Sequence, residues 1–101
     1  MAYPKQIQGV WQKGYEPCKL PGNLDSDGRK EIKSKVIHNY EDTSTPIEVV
    51  HLAKQPQAWK IKSSFEIDGY TTSGYEIYIL SGKAIMTIVS ASSSSVFTRC
   101  N

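Results

Sequence analysis

The feature that most limits the fold is the alternation of side chains between Ala58 and Ile67. Mostly apolar residues fall on one face of this segment, and polar or charged residues fall on the other. The first face holds Trp59, Ile61, Ser63, Phe65 and Ile67, and the second holds Lys60, Lys62, Ser64 and Glu66. A period of two residues with one polar face is typical of a strand whose antiparallel sheet packs one side against a core. The segment therefore predicts a sheet with one buried and one solvated face.

Turn signals divide the rest of the chain into further short strands. Asp68-Gly69 and Ser81-Gly82-Lys83 mark tight turns, and Thr72-Ser73-Gly74 is a second candidate turn after the first. Strands are predicted at residues 8–13, 30–32, 35–40, 47–54, 58–67, 75–80, 84–89 and 96–100, with loops at 14–28, 41–46, 55–57 and 90–95. Short strands with turns roughly every 8–12 residues are typical of all-β barrels and sandwiches. We therefore predict an all-β fold, an antiparallel meander that closes into a small barrel, with a β-sandwich as the alternative.

The length and composition indicate one globular domain, residues 1–101. A chain of this size buries roughly 60–70% of its unfolded surface, which is enough for a modest core. Residues 1–7 are interpreted as a mobile lead-in, and only residues 14–28 have room for a single helical turn. The net charge of +2 is too small to indicate nucleic acid or an anionic membrane by itself. No apolar run approaches the ~18 residues of a membrane span.

The only two cysteines, Cys18 and Cys100, lie near opposite ends of the chain and beside predicted strands that could pair. A disulfide between them would close a loop of about 80 residues and stabilise the fold by roughly 4–5 kcal/mol in the chain-entropy model. We predict this bond, which places the protein in an oxidising compartment, the periplasm or the extracellular space. Residues 1–5 lack the apolar segment of a signal peptide, so this hypothesis takes the chain as the mature form. A cytosolic protein with two free thiols is the alternative.

Gly9-Val10-Trp11 near the start and Arg99-Cys100 near the end resemble the two ends of small exported lipocalin-like barrels of bacteria. In the lipocalin-like family a G-x-W motif begins the first strand, the Trp lies at the closed end of the barrel, and an Arg from the last strand packs across its ring. The resemblance implies that Arg99 covers the indole of Trp11, a cation–π contact of about 0.5–2 kcal/mol. It therefore implies structural roles for Trp11 and Arg99.

The sequence favours a binding function. An eight-stranded barrel has room for at most one small ligand, and we predict a small or lipid-like ligand in the barrel mouth. The residues predicted to bind it are Trp59, Phe65, Tyr70, Tyr75 and Tyr78. The alternative is a protein partner in the cell envelope, with the chain acting as an inhibitor or immunity-type protein on a hydrolase through residues 41–46 and 68–74. An apolar cavity inside the barrel would favour the ligand, whereas a filled interior with an exposed aromatic patch would favour the protein partner.

A further hypothesis is the binding of single-stranded nucleic acid by a basic, aromatic sheet face. Lys60 and Lys62 lie on the polar face of the best strand, as in folds that bind single strands with basic and aromatic side chains. Enzymatic function is not predicted, because there is no G-x-S-x-G motif and no carboxylate stands in an apolar setting that would raise its pKa. No cofactor is predicted.

One stretch is similar to a metal-binding motif. Asn23, Asp25, Asp27 and Glu31 follow the spacing of calcium loops written D-x-D-x-D-G-x-x-D, with Gly28 at the glycine position. The alternative is a polar loop that uses Asp and Gly for turn geometry. The two histidines, His38 and His51, lack the short spacing of zinc ligands. We therefore predict no metal centre and leave the calcium loop open.

Overall fold

The strands follow one another around a closed barrel in chain order. The computed structural model describes all 101 residues. The eight antiparallel strands are β1 Gly9–Lys13, β2 Arg29–Ile32, β3 Ile37–His38, β4 Thr43–Lys54, β5 Gln57–Ile67, β6 Tyr70–Ser81, β7 Ile85–Val89 and β8 Ser94–Arg99. Strand β1 pairs with β8 through Trp11↔Arg99, Gln12↔Thr98 and Lys13↔Phe97, which closes the sheet on itself. The predicted all-β barrel is confirmed, and the fold is not a sandwich.

Strand β5 follows the predicted alternation from Trp59 to Ser63, whereas Ile67, which was predicted on the buried face, is exposed. Trp59, Ile61 and Ser63 are buried in the interior, whereas Lys60 is exposed. The turn that follows β5 has positive φ angles at both central residues, 51° at Asp68 and 82° at Gly69. Two-residue hairpin turns favour this geometry because its twist matches that of the strands, and Asp-Gly adopts it readily. The turn therefore fixes the β5–β6 register from Ile67↔Tyr70 to Gln57↔Leu80.

The predicted second turn at residues 72–74 is wrong. Strand β6 runs without interruption from Tyr70 to Ser81, and Ser63 pairs with Gly74. The Asp68-Gly69 turn already reverses the chain, so the residues after it continue as a strand. Their small polar and β-branched side chains are compatible with an exposed sheet.

Strand β4 begins earlier than predicted and is irregular. The loop expected at residues 41–46 is a turn at 39–42, and β4 starts at Thr43. Strand β3 pairs only with Thr43 and Ser44, so the following residues of β4 have no neighbouring strand on that side. Pro46, which has no backbone N–H to donate, is tolerated at such an edge. Register shifts occur between Pro46 and Glu48 and between His51 and Ala53. These bulges break the predicted alternation and leave Ile47 and Leu52 exposed.

Successive connections in a meander of antiparallel strands lie at opposite ends of the barrel. The turns at 33–36, 55–56 and 82–84 share one end with residues 1–8, and we call this the closed end. The turns at 39–42, 68–69 and 90–93 share the other end, which we call the open end. Residues 1–8 therefore lie at the closed end, and no terminal segment lies at the open end.

The first residues pack into the closed end, which differs from the mobile lead-in predicted for residues 1–7. Lys5–Ile7 form one 3₁₀ turn, and the side chains of Tyr3 and Ile7 are buried. The backbone N–H of Tyr3 donates to the carbonyl of Ser34 at 2.9 Å. The hydroxyl groups of Tyr3 and Ser63 form a hydrogen bond of 2.9 Å. The segment thus acts as a plug that extends into the barrel.

One cluster of twelve buried side chains fills the barrel. Its members are Tyr3, Ile7, Trp11, Ile32, Ile37, Trp59, Ile61, Tyr78, Leu80, Met86, Ile88 and Phe97. They come from the plug and from strands all around the sheet, so the core joins both ends of the chain. The structure contains no helix with the length and apolar character required to cross a bilayer.

The predicted disulfide is present and fixes the longest loop to the last strand. Cys18 and Cys100 are bonded and lie 82 positions apart in sequence. Backbone hydrogen bonds support the bond: the N–H of Asn101 donates to Cys18 and the N–H of Cys100 donates to Val10. The loop at 14–28 therefore runs along the outside of β1 rather than into solvent, and it contains no helix.

Candidate functional site

Arg99 covers Trp11 at the closed end, as the resemblance implied. The guanidinium carbon lies 4.3 Å from the centre of the indole ring. Its Nε, Nη1 and Nη2 atoms donate to the carbonyl groups of Lys83, Gln8 and Gln6 at 2.7–2.8 Å. The indole N–H of Trp11 donates to the carbonyl of Ile7 at 2.9 Å. The pair therefore holds the lead-in against the barrel, a structural role.

The five residues predicted to bind a ligand do not form one site. Trp59 and Tyr78 face each other on β5 and β6 and belong to the buried core. Phe65 is half-buried toward the open end. Tyr70 and Tyr75 are on the surface, with 76% and 44% of their area exposed. None of the five lines any of the cavities in the structure.

A small polar cavity lies inside the open end. Lys30, Glu76, Ile88 and Phe97 line it with three serines of β8 and the turn before it, and its volume is about 90 Å³. Binding sites for drug-sized ligands typically measure about 300–1,000 Å³. The cavity is therefore too small for the ligand predicted from the sequence.

The groups around this cavity satisfy one another. The ammonium of Lys30 donates to Asn39 Oδ1 at 2.6 Å and lies 5.6 Å from the centre of the Phe97 ring. Burial lowers the pKa of Lys30, and the charges of Glu76 and Asp42 offset part of that change. The Tyr78 hydroxyl donates to Glu76 at 3.2 Å. Burial is also the main reason that the pKa of Tyr78 is raised well above its ordinary value.

Two larger grooves lie outside the barrel. One, of about 560 Å³, is at the closed end between residues 5–6, residues 82–84 and the C-terminal residues. The other, of about 640 Å³, lies beside the disulfide loop and is lined mostly by polar residues of segments 12–19 and 22–23. The space of ligand size is therefore on the surface and not in the barrel mouth.

The open end carries a group of exposed aromatic and acidic residues, which we call the acidic rim. Its members line two shallow grooves or flank them: Asp27, Asn39, Tyr40, Glu41, Asp42, Thr43, Glu66, Ile67, Asp68 and Tyr70. The pair Thr43↔Glu66 places the 39–42 turn next to the tip of the β5–β6 hairpin. Five of the ten acidic residues of the chain are in this group, which contains no Lys or Arg.

The apolar surface of the rim is large and rests on fixed turns. Tyr40, Ile67 and Tyr70 are 54%, 43% and 76% exposed. The N–H of Asn39 donates to the carbonyl of Asp42 at 3.0 Å, which closes the first turn. Sequence reasoning identified the neighbouring loops at 41–46 and 68–74 but missed Tyr40 and Ile67. The available signal was an aromatic residue next to the Glu41-Asp42 pair.

The outer face of β4–β6 carries the residues proposed for nucleic acid. The ammonium groups of Lys60 and Lys62 lie 4.6 Å and 5.5 Å from the centre of the Tyr75 ring. The Tyr75 hydroxyl donates to Glu48 at 3.4 Å. The ring is thus engaged by side chains of the same sheet, which leaves less of it open to a stacked base. Glu48 adds negative charge to this face.

The candidate metal residues are dispersed. The Asn23 side-chain oxygen accepts a hydrogen bond from the backbone N–H of Asp25, as in a polar turn. Glu31 is in β2, paired with His38. The ring of His51 stacks on Trp59 at 5.4 Å and bonds Gln57. No group of three His, Cys, Asp or Glu side chains is arranged to hold a metal ion.

No protein-family model matches the sequence, and comparisons with curated proteins and with solved structures returned no significant match.

Proposed function

We propose that this protein binds another protein through the acidic rim, and that its partner presents a basic surface. One observation carries the proposal: Tyr40, Ile67 and Tyr70 are exposed beside five carboxylates at one end of a barrel whose interior is filled. Exposed apolar groups that are rimmed by polar ones mark interaction sites in soluble proteins. The filled interior gives less support to a small ligand in the barrel mouth.

The aromatic residues would supply most of the affinity. Tyrosine is enriched among interface residues that contribute strongly to binding, because it buries a large area with few rotatable bonds. Tyr70 is at the tip of the β5–β6 hairpin, and Tyr40 is at the tip of the neighbouring turn. Both turns are held by backbone geometry, so little conformational entropy would be lost when a partner orders them.

The carboxylates would supply steering and selectivity. Five negative charges in one region, in a chain whose net charge is +2, give the molecule a strong charge asymmetry. Complementary charge raises association rates and excludes partners of the same sign. The partner surface is therefore expected to be rich in Lys and Arg.

The shape of the rim suggests an inhibitor or immunity-type protein. Two adjacent turns project from a rigid barrel and could enter a cleft of an envelope hydrolase. The disulfide is typical of proteins in the periplasm or outside the cell, where such a partner would be found.

Affinity capture with matched variants tests this proposal. The rim variant Tyr40→Ser/Tyr70→Ser removes two exposed rings, and the control variant Tyr15→Ser/Tyr75→Ser removes two exposed rings elsewhere. Each protein is immobilised and exposed to an envelope extract of the cells that make it, at low salt. We expect a basic protein that the wild type and the control variant retain, that the rim variant loses, and that salt elutes.

The activity of the captured protein tests the inhibitor assignment. A hydrolase whose turnover falls on addition of the wild type, and not of the rim variant, would support it. Retention of the same proteins by the rim variant, or loss of the partner with the control variant instead, would contradict the proposed interface.

A further inference from the structure

The groove at the closed end has the size and the charge of a binding site for a small anion. Its volume of about 560 Å³ is within the usual range of ligand pockets. Lys5, Lys83 and Arg99 line it, and no Asp or Glu side chain does. Ala84, which is exposed, and the edge of Leu80, which is 5% exposed, form the apolar part of the lining. Cations next to an apolar surface are suited to an anion that has an apolar body.

Arg99 has donors to spare in this groove. A guanidinium carries five N–H groups, and three of them donate to backbone carbonyls, one from each nitrogen. One N–H on Nη1 and one on Nη2 have no partner in the protein. These acceptors are carbonyl groups, which carry only partial charges. No carboxylate pairs with this half-buried cation. Burial accordingly lowers the pKa of Arg99, and no acidic group opposes that change.

The lysines add two exposed charges from separate elements. Lys5 begins the 3₁₀ turn of the lead-in, and Lys83 is in the turn between β6 and β7. Arg99 joins the two elements, because it donates to the carbonyls of Gln6 and Lys83. The three cations are therefore held around one space by a structural contact. Gln57 adds an amide that can donate to an oxygen.

We propose that this groove binds a small organic anion, a carboxylate, sulfonate or phosphate attached to a hydrocarbon or aromatic body. The anionic group would bond the free N–H groups of Arg99 between Lys5 and Lys83, and the body would cover Leu80 and Ala84. This site is at the opposite end of the barrel from the acidic rim. The proposed anion site is therefore independent of the proposed protein partner, and failure of one would not affect the other.

Two fluorescent probes that differ in one group test the charge requirement. Anilinonaphthalene sulfonate carries the anionic group, and N-phenyl-naphthylamine has the same rings without it. We expect saturable binding of the sulfonate that weakens with added salt, and at least about tenfold weaker binding of the neutral probe. Equal affinity for the two probes would overturn the proposal.

Matched charge variants locate the site. Lys5→Gln/Lys83→Gln removes two cations from the groove, and Lys60→Gln/Lys62→Gln removes two cations from the outer sheet face. Both variants have the same net charge; Lys5, Lys60 and Lys83 are exposed, and Lys62 is half-buried on the outer face of the sheet. We expect the sulfonate to bind the groove variant about tenfold more weakly and the control variant with unchanged affinity. An unchanged affinity for the groove variant would overturn the assignment.

Nuclear magnetic resonance identifies the residues that the probe contacts. Addition of the sulfonate should shift backbone amides of residues 5–6, 82–84 and 99–101 most strongly, and shifts confined to other segments would contradict the site. Competition then identifies the source of the anion. Displacement by monomeric octanoate would support a free carboxylate, and displacement only by phosphatidylglycerol vesicles would support a lipid headgroup.

Discussion

Removal of the Cys18–Cys100 disulfide should lower the free energy of unfolding by about 4.5 kcal/mol. The bond joins residues separated by 82 positions. In the chain-entropy model, release of a loop of that length gives the unfolded chain this much additional conformational freedom at about 25 °C. Small domains are stable by only about 5–15 kcal/mol in total. The protein without its disulfide should therefore be close to unfolding.

Urea unfolding of the variant Cys18→Ala/Cys100→Ala measures this loss. Trp11 and Trp59 are both buried, so their fluorescence should shift to longer wavelength on unfolding. With a denaturant slope of about 1.5 kcal/mol/M, the midpoint should fall by about 3 M. Reduced wild-type protein should show a similar decrease.

The single variants separate the bond from the side chains. Either Cys18→Ala or Cys100→Ala alone abolishes the disulfide, so each should lose nearly as much stability as the double variant. A loss below about 1 kcal/mol in the double variant would refute the chain-entropy reasoning. If the losses of the two single variants instead add up to the loss of the double variant, the effect would come from side-chain packing, chiefly around the buried Cys100, and not from the bond.

Three further predictions concern the closed end. Gly9→Ala should destabilise the fold by about 1–3 kcal/mol, because φ is +137° and a Cβ atom would lie 2.8 Å from Nη1 of Arg99; thermal unfolding measures the change, and an unaltered midpoint would argue against this contact. Arg99→Lys keeps the charge but not the planar set of donors, so it should lose about 2–4 kcal/mol and alter the emission of Trp11; a variant as stable as the wild type would show that the carbonyl contacts are dispensable. Burial raises the pKa of Tyr3 from 10.0 to about 12, so the unfolded chain ionises first as the pH rises and stability should fall between about pH 10 and pH 12. Tyr3→Phe should make urea unfolding less sensitive to pH in that interval, and an equal decline in both proteins would contradict burial of this hydroxyl.

The predictable part of the fold is where local chemistry and tertiary packing agree. The alternation from Trp59 to Ile67 has the period of a half-buried strand, and Asp68-Gly69 has the conformations that a tight hairpin requires. The irregular part is where packing overrides local preference. Pro46 can lie within β4 because β3 does not extend alongside it, so no backbone N–H is needed on that side. Only the complete sheet shows where β3 ends. The buried hydroxyl of Tyr3 has its hydrogen-bond partner, Ser63, sixty residues away in sequence. No local pattern around Tyr3 therefore predicts its burial.

The candidate binding surfaces were harder to predict for a related reason. The five aromatic residues expected to share a site all lie between Trp59 and Tyr78, yet alternate residues of a strand face opposite sides of the sheet. Trp59 and Tyr78 therefore enter the core while Tyr75 faces solvent. The acidic rim unites segments near residues 27, 40 and 67, which depends on barrel closure. Arg99 was identified from a resemblance as a structural residue, and the structure adds that two of its N–H groups are free.

Site-specific photocrosslinking tests the proposed protein interface most directly. A benzoyl-phenylalanine at position 40 or 70 places the reactive group on the rim, and the same residue at position 15 replaces a tyrosine outside the rim that is as exposed as Tyr70. The proteins are irradiated in the cells that make them, and the adducts are identified by mass. We expect one basic partner protein to be crosslinked from positions 40 and 70 and not from position 15. Adducts from position 15 alone, or no protein adduct from either rim position, would contradict it.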